Sequence, residues 1–262
     1  MAKIQITAEI TEVERLAGGV FSMELYVPQI AQQAVSGQFI SVYCKDRDRL
    51  LPRPISLCGI DREKGLLRLV YRIVGNGTKE FSGMQPGEEI LVMGPLGNGF
   101  PICQEEYSGK SAILLGGGIG IPPMLSLAKS FPGSVTTVLG YRDAETFLLE
   151  EFRKTGSRVI VATEDGSVGI KGNVIDAVYA ENVKGDVIYA CGPLPMLRGV
   201  KQHALKEGIP AWVSMEERMA CGIGACLACV CQSKETDSHS HVKNKRVCKD
   251  GPVFLATDVE LG

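Results

Sequence analysis

Three cysteines spaced Cys221-x4-Cys226-x2-Cys229, with a fourth at Cys248, constrain this chain more than any other feature. A dense triplet and one distant partner is the spacing that wraps a [2Fe–2S] cluster. Gly222, Gly224 and Ala225 lie between the first two ligands, and small residues there let backbone N–H groups turn toward sulfur. Structural zinc is the competing reading, but zinc sites pair their ligands as two short hooks. Free buried thiols are the blander one. Cys231 stands outside the pattern as a strand neighbour. His239 and His241 form a His-x-His pair in a polar stretch and read as a solvated loop tip rather than as ligands.

The chain has 262 residues, enough for two compact domains and a small module. From residue 1 to 102, short β-rich segments alternate with turns such as Gly18-Gly19 and Gln85-Pro86-Gly87, which predicts an antiparallel barrel. From 103 to 215, strands alternate with helices, including one expected over 146–154, which predicts an α/β domain with a parallel sheet. Residues 216–262 lack periodicity and read as a module held by its metal cluster rather than by a core. The net charge of -2 gives no electrostatic case for nucleic acid or an anionic membrane. No apolar run reaches the roughly 20 residues of a membrane span, and the N-terminal text lacks a signal peptide's apolar centre, so the expected location is the cytoplasm. Nine cysteines in such a compartment favour metal or redox chemistry over disulfides.

Two further segments sit where α/β sheets bind ligands. Gly116-Gly117-Gly118-Ile119-Gly120 joins a buried strand to a helix, and Cys191-Gly192-Pro193 ends a later strand. Together they suggest a nucleotide pyrophosphate site, although the G-x-G-x-x-G fingerprint is not met. In the barrel stretch, Arg53-Pro54-Ile55-Ser56, Val70-Tyr71-Arg72 and Gly77-Thr78 bring two arginines and a helix start that suit phosphate oxygens. By chemistry alone, a surface position suits both arginines equally well.

In order and spacing, Arg-Pro-Ile-Ser, Val-Tyr-Arg, Gly-Thr, Gly94-Pro95-Leu96-Gly97-Asn98-Gly99-Phe100, the glycine run and Cys-Gly-Pro resemble the ferredoxin–NADP reductase superfamily. The stretch Ser214 to Cys226, Ala228-Cys229 and Val247 to Phe254 resembles the electron-transfer subunits of two-subunit, NAD-linked dihydroorotate dehydrogenases. The resemblance implies FAD on Arg53, Pro54, Ile55, Ser56, Val70, Tyr71, Arg72, Gly77 and Thr78, with Ile55 where many relatives carry an aromatic ring. It implies NAD(H) as substrate near Gly116, Gly117, Gly118, Gly120, Cys191, Gly192 and Pro193, and the cluster on Cys221, Cys226, Cys229 and Cys248. Its implied partner is an FMN-containing catalytic subunit, in a heterotetramer of two of each, with electrons passing from dihydroorotate to NAD+. Such a chain has no catalytic acid–base residue of its own, because placing and tuning the carriers is the protein's task. Flavin/iron–sulfur subunits of sulfide dehydrogenases and of NADH-dependent ferredoxin–NADP reductase complexes share most of these motifs. A zinc-stabilised binding module is the alternative outside this class.

Overall fold

The computed structural model describes residues 3–46, 48–236 and 241–262; His239 lies outside the described residues. The first stretch forms a closed antiparallel barrel of β1 (Ile4–Ala17), β2 (Val20–Tyr26), β3 (Phe39–Val42), β4 (Arg53–Asp61), β5 (Leu66–Arg72) and β6 (Glu89–Leu96), in the order β1-β2-β5-β4-β3-β6. Alternation along β5 sends Leu67, Leu69 and Tyr71 into the barrel core with Ile40, Leu57 and Phe81. Strand β1 is long because it serves two neighbours: its first half pairs with β6 and its second with β2, with register shifts after Ile10 and Arg15. Two short helices, α1 (Pro28–Ala31) and α2 (Asn76–Phe81), join the barrel core through Ile30, Ala31 and Phe81.

A short helix α3 (Gln104–Tyr107) leads into the α/β stretch. Here β7 (Ser111–Gly117), β8 (Ser134–Tyr141), β9 (Arg158–Thr163), β10 (Ile170–Lys171), β11 (Val187–Cys191) and β12 (Ala211–Ser214) lie parallel in the order β10-β9-β8-β7-β11-β12. Helices α4 (Ile121–Ser130), α5 (Leu149–Arg153), α6 (Val174–Ala180) and α7 (Leu194–Glu207) connect them. Buried apolar side chains fill both faces, Leu114, Met124 and Tyr189 on one, Ile113, Val178 and Val200 on the other. The helix expected over 146–154 is shorter than its sequence suggests. The Asp143 carboxylate accepts the Glu145 N–H at 2.9 Å, and Leu148 adopts a left-handed φ of 63°, so a turn takes the first half of that segment.

The last stretch departs from the expectation that its cluster alone holds it. A ribbon of β13 (Val230–Gln232) and β14 (Asn244–Arg246) is followed by β15 (Val253–Leu255), which pairs antiparallel with β12 at the edge of the sheet. Cys229, Cys231, Val247, Cys248, Phe254 and Val259 are buried in the same core as the sheet. The segment therefore has apolar anchors, which its low periodicity concealed because each strand is three residues long. Among the described residues, no helix is long and apolar enough to cross a membrane.

Candidate functional site

The strand order reverses direction at β7: β8, β9 and β10 lie to one side, β11 and β12 to the other. Open α/β sheets bind ligands at the carboxyl ends of strands flanking such a switch. Both suspected nucleotide loops fall there, since Gly116 pairs with Cys191 in register. At Gly120 a side chain has no room, because an added Cβ would lie 2.3 Å from the Cys191 carbonyl oxygen. The glycine run and the Cys-Gly-Pro turn are thus packed into one surface, with α4 starting directly behind. The Cys191 thiol is buried beside Ser214, and burial pushes its pKa up, so it stays protonated.

The barrel face toward this switch point carries a cleft of ≈ 310 Å³. Arg53, Pro54, Ile55 and Ser56 at the start of β4, Val70, Tyr71 and Arg72 at the end of β5, and Thr78 on α2 all line it. Gly77 lies behind them, with the Arg53 guanidinium packed on its backbone. Thr78 Oγ1 ties the turn into α2 by accepting N–H groups of Val74 and Gly75 at 3.0 and 3.3 Å. The Tyr71 hydroxyl is buried without a hydrogen-bond partner among the described residues. A buried hydroxyl left alone is costly, so a polar ligand group in the cleft suits it. Ile55 turns into the barrel core and supplies an aliphatic wall.

Sequence reasoning about this cleft missed its opposite wall. Met215, Glu216, Glu217, Met219 and Pro252 close it, together with Phe39. The available signal was position: Met215–Met219 immediately precede Cys221, and Pro252 follows Cys248 by four residues. Protein crowding around Glu216 raises its carboxyl above the usual range, although the open cleft leaves the side chain accessible.

The cysteine loop continues from that wall. Gly222, with φ of 67°, presses its backbone onto Ser41 Oγ of β3 and the side chain of Leu96 at the end of β6. The N–H groups of Ile223, Ala225 and Cys226 donate to Cys221 Sγ at 3.4, 3.3 and 3.4 Å. Partial burial pushes the Cys221 thiol up, but these amides and the Cys226 thiol outweigh it and bring its pKa down to about 6. The Cys248 N–H donates to Cys229 Sγ at 3.4 Å, and burial, with Cys229 beside it, pushes the Cys248 thiol up to about 12. Cys226 thus lies beside Cys221 and Cys229 beside Cys248, with Cys221 also near enough to act on Cys248. Among the described residues, no three metal-ligating side chains converge on a single ion. Donor type, amide-to-sulfur contacts and pairing all fit a binuclear cluster. Cys231 is buried on β13 and burial raises its thiol to about 11, consistent with a core role. His241 is exposed.

A barrel cleft, a switch-point loop pair and a thiolate loop sharing one wall define a flavin-dependent reductase with an appended iron–sulfur module. The family model for the iron–sulfur cluster binding domain of dihydroorotate dehydrogenase B matches residues 216–260, and that for the oxidoreductase FAD-binding domain matches residues 7–100. The Fusobacterium nucleatum dihydroorotate dehydrogenase B (NAD(+)), electron transfer subunit, is 41% identical over 261 residues, covering 96% of this chain and 97% of its own. The Bacillus caldolyticus subunit of the same name is 45% identical over 230 residues, 86% of each chain. A solved NADH-dependent reduced ferredoxin-NADP oxidoreductase superposes with a TM-score of 0.84 at 30% identity, covering 97% of this chain and 90% of that one. A ferredoxin NADP+ reductase from Neisseria gonorrhoeae shares the fold, with a TM-score of 0.64 at 19% identity over 78% of this chain and 92% of its own. The chain belongs to the family of dihydroorotate dehydrogenase B electron transfer subunits.

Proposed function

We propose that this chain is the electron-transfer subunit of an NAD-linked dihydroorotate dehydrogenase, coupling dihydroorotate oxidation on a separate FMN-containing catalytic subunit to NAD+ in pyrimidine synthesis. The observation that carries the reading is the shared wall: Met215–Met219 and Pro252 belong at once to the barrel cleft and to the loop bearing Cys221 and Cys248. FAD held there would supply the two-electron chemistry that nicotinamide needs and the one-electron chemistry that a [2Fe–2S] cluster needs.

The chain's own residues bind and orient. Arg53 and Arg72 offer guanidinium donors to phosphate oxygens at the cleft. Tyr71 supplies a buried hydroxyl donor, and Ile55, Val70 and Phe39 exclude water. Gly116, Gly117, Gly118, Gly120, Cys191, Gly192 and Pro193 form the floor for NAD(H). Cys221 and Cys226 would hold one iron and Cys229 and Cys248 the other, with the Cys221 amides stabilising thiolate charge. Residues 1–102, 103–215 and 216–262 serve as flavin, nucleotide and cluster regions. The complex is a cytoplasmic heterotetramer of two copies of each subunit, as the resemblance implies.

The test is reconstitution. The purified chain is expected to oxidise NADH with artificial acceptors but to reduce NAD+ with dihydroorotate only when the FMN-containing subunit is added. Turnover of dihydroorotate by this chain alone refutes the assignment. The ferredoxin-NADP oxidoreductase likeness supports a related build, and the same assay with reduced ferredoxin as donor separates the two.

A further inference from the structure

Arg246 lies between Cys229 and Cys248 in sequence and reaches across to the loop that carries Cys221 and Cys226. It ends β14 opposite Val230 of β13, and the next residue donates its N–H to the Cys229 carbonyl at 2.9 Å. Asp250, two residues past Cys248, holds it at backbone and side chain. One carboxylate oxygen accepts the Arg246 N–H at 2.7 Å and its Nε–H at 3.1 Å, and Nη2 donates to the other oxygen at 3.4 Å. The Arg246 carbonyl in turn accepts the Asp250 N–H at 2.7 Å. Only 19% of the Arg246 side chain and 25% of that of Asp250 are exposed, so solvent competes little with the pair.

The remaining guanidinium nitrogen crosses to the other ligand segment. Arg246 Nη1 donates to the Gly224 carbonyl at 3.4 Å. That carbonyl belongs to the Gly224–Ala225 peptide, whose N–H donates to Cys221 Sγ at 3.3 Å. The C=O and N–H of a trans peptide point opposite ways, so a single peptide plane stands between the guanidinium and the sulfur. Gly224 takes a left-handed φ of 85°, and an added Cβ there would lie 2.7 Å from Lys249 Cδ, so the turn is packed from outside. A cation drawing on the oxygen makes the same peptide's N–H a stronger donor, because linked hydrogen bonds polarise one another. Lys249 brings an equal charge to the same glycine, but it is exposed and lays its aliphatic stem, not its ammonium, on the turn.

We propose that Arg246 is a positioning residue that raises the reduction potential of the cluster by polarising the Gly224–Ala225 peptide toward Cys221. The inference rests on the assignment of the four cysteines to a [2Fe–2S] cluster. Reduction adds one electron, and N–H donors on the sulfurs stabilise the added negative charge, which is one determinant of such potentials. Asp250 balances the guanidinium charge, so the influence travels through the shared peptide rather than as bare charge. Losing Arg246 weakens one donor on Cys221 and makes the electron harder to accept.

The test is an anaerobic dithionite titration of the full-length, flavin- and iron-loaded chain with redox mediators. Electron paramagnetic resonance follows the reduced cluster and absorbance follows the flavin. In Arg246→Met the ratio of reduced to oxidised cluster at the wild-type midpoint is expected to fall about 10-fold, a one-electron shift of about 59 mV to lower potential. Arg246→Lys, which keeps the charge but not the planar fork, is expected to shift the midpoint the same way by less. Lys249→Met removes an equal charge beside the same glycine and is expected to leave the cluster midpoint in place. The flavin midpoint is expected to stay unchanged in all three. Unchanged cluster midpoints in both Arg246 variants, or an equal shift in Lys249→Met, overturn the proposal. A flavin midpoint that moves with the cluster's overturns it too, because it marks a general disturbance of the fold. If Arg246→Met holds no iron, Arg246→Lys decides by the same criterion, and loss of iron from both makes the residue a structural brace and overturns the proposal. A wild-type chain that holds no iron refutes the underlying cluster assignment instead.

Discussion

Three amides aimed at one sulfur separate a thiolate poised for metal from an ordinary buried thiol. Cys221 receives them and Cys231 does not, although the two lie ten residues apart. Cys226→Ser is therefore expected to remove the iron–sulfur absorbance while NADH still reduces the flavin. Cys231→Ser is expected to keep full iron content, at a modest cost in stability from an altered core contact. Metal analysis beside the visible spectrum reads both, and unchanged iron in Cys226→Ser contradicts the ligand assignment. Arg53→Ala is expected to weaken flavin retention, read as flavin per chain after gel filtration. At this scale the cysteine spacing was legible because a cluster demands it chemically. The wall formed by Glu216, Met219 and Pro252 was not, because nothing about those residue types marks a cleft until folding brings two distant segments together.

Among the elements, strands β7 and β11 were legible as short apolar runs ending in glycine turns, but their adjacency was not, because alternating strands and helices leave the strand order open. Strand β15 was not, because three residues carry no periodicity and its partner β12 lies about 40 residues earlier. Helix α6 shows what a local signal fixes: the Asn173 side chain accepts the Ile175 and Asp176 N–H groups at 2.8 and 3.2 Å, while Asp176 accepts the Asn173 N–H at 2.8 Å. Asn173→Ala is expected to cost about 1 kcal/mol in denaturant unfolding. The packing of α6 on α7 carries a pH dependence. His203 is buried edge-on against Tyr179, its Nδ1 has no hydrogen-bond partner, and burial holds its imidazole below the ordinary value despite Glu207 nearby. Below about pH 6.5 the unfolded chain binds the proton that the native one resists, so stability is full above that value and falls as pH drops through it. Denaturation midpoints at pH 7.5 and 5.5 are expected to diverge less in His203→Gln than in the wild type.

Across the whole molecule, barrel and sheet are joined by direct hydrogen bonds. Arg68 of β5, which also donates to Ser22 within the barrel, donates to Glu151 of α5 at 2.6 Å, Gly18 N–H reaches Glu145 at 2.9 Å, and the Tyr189 hydroxyl donates to the Pro101 carbonyl at 2.7 Å. No sequence rule marks these pairs, since each partner is an ordinary surface or strand residue until the two halves meet.

Because β15 borders β12, the nucleotide sheet keeps an unpaired edge until Val253–Leu255 have left the ribosome. Synthesis runs from the N-terminal side, so the barrel and the six parallel strands assemble first. On the proposed ligand set, metal delivery would be a late event in biogenesis, coming after Cys248 has emerged to join Cys221, Cys226 and Cys229. Ribosome-bound nascent chains arrested before Cys248 emerges would carry Cys221, Cys226 and Cys229 without that fourth thiol, beside an uncovered sheet margin.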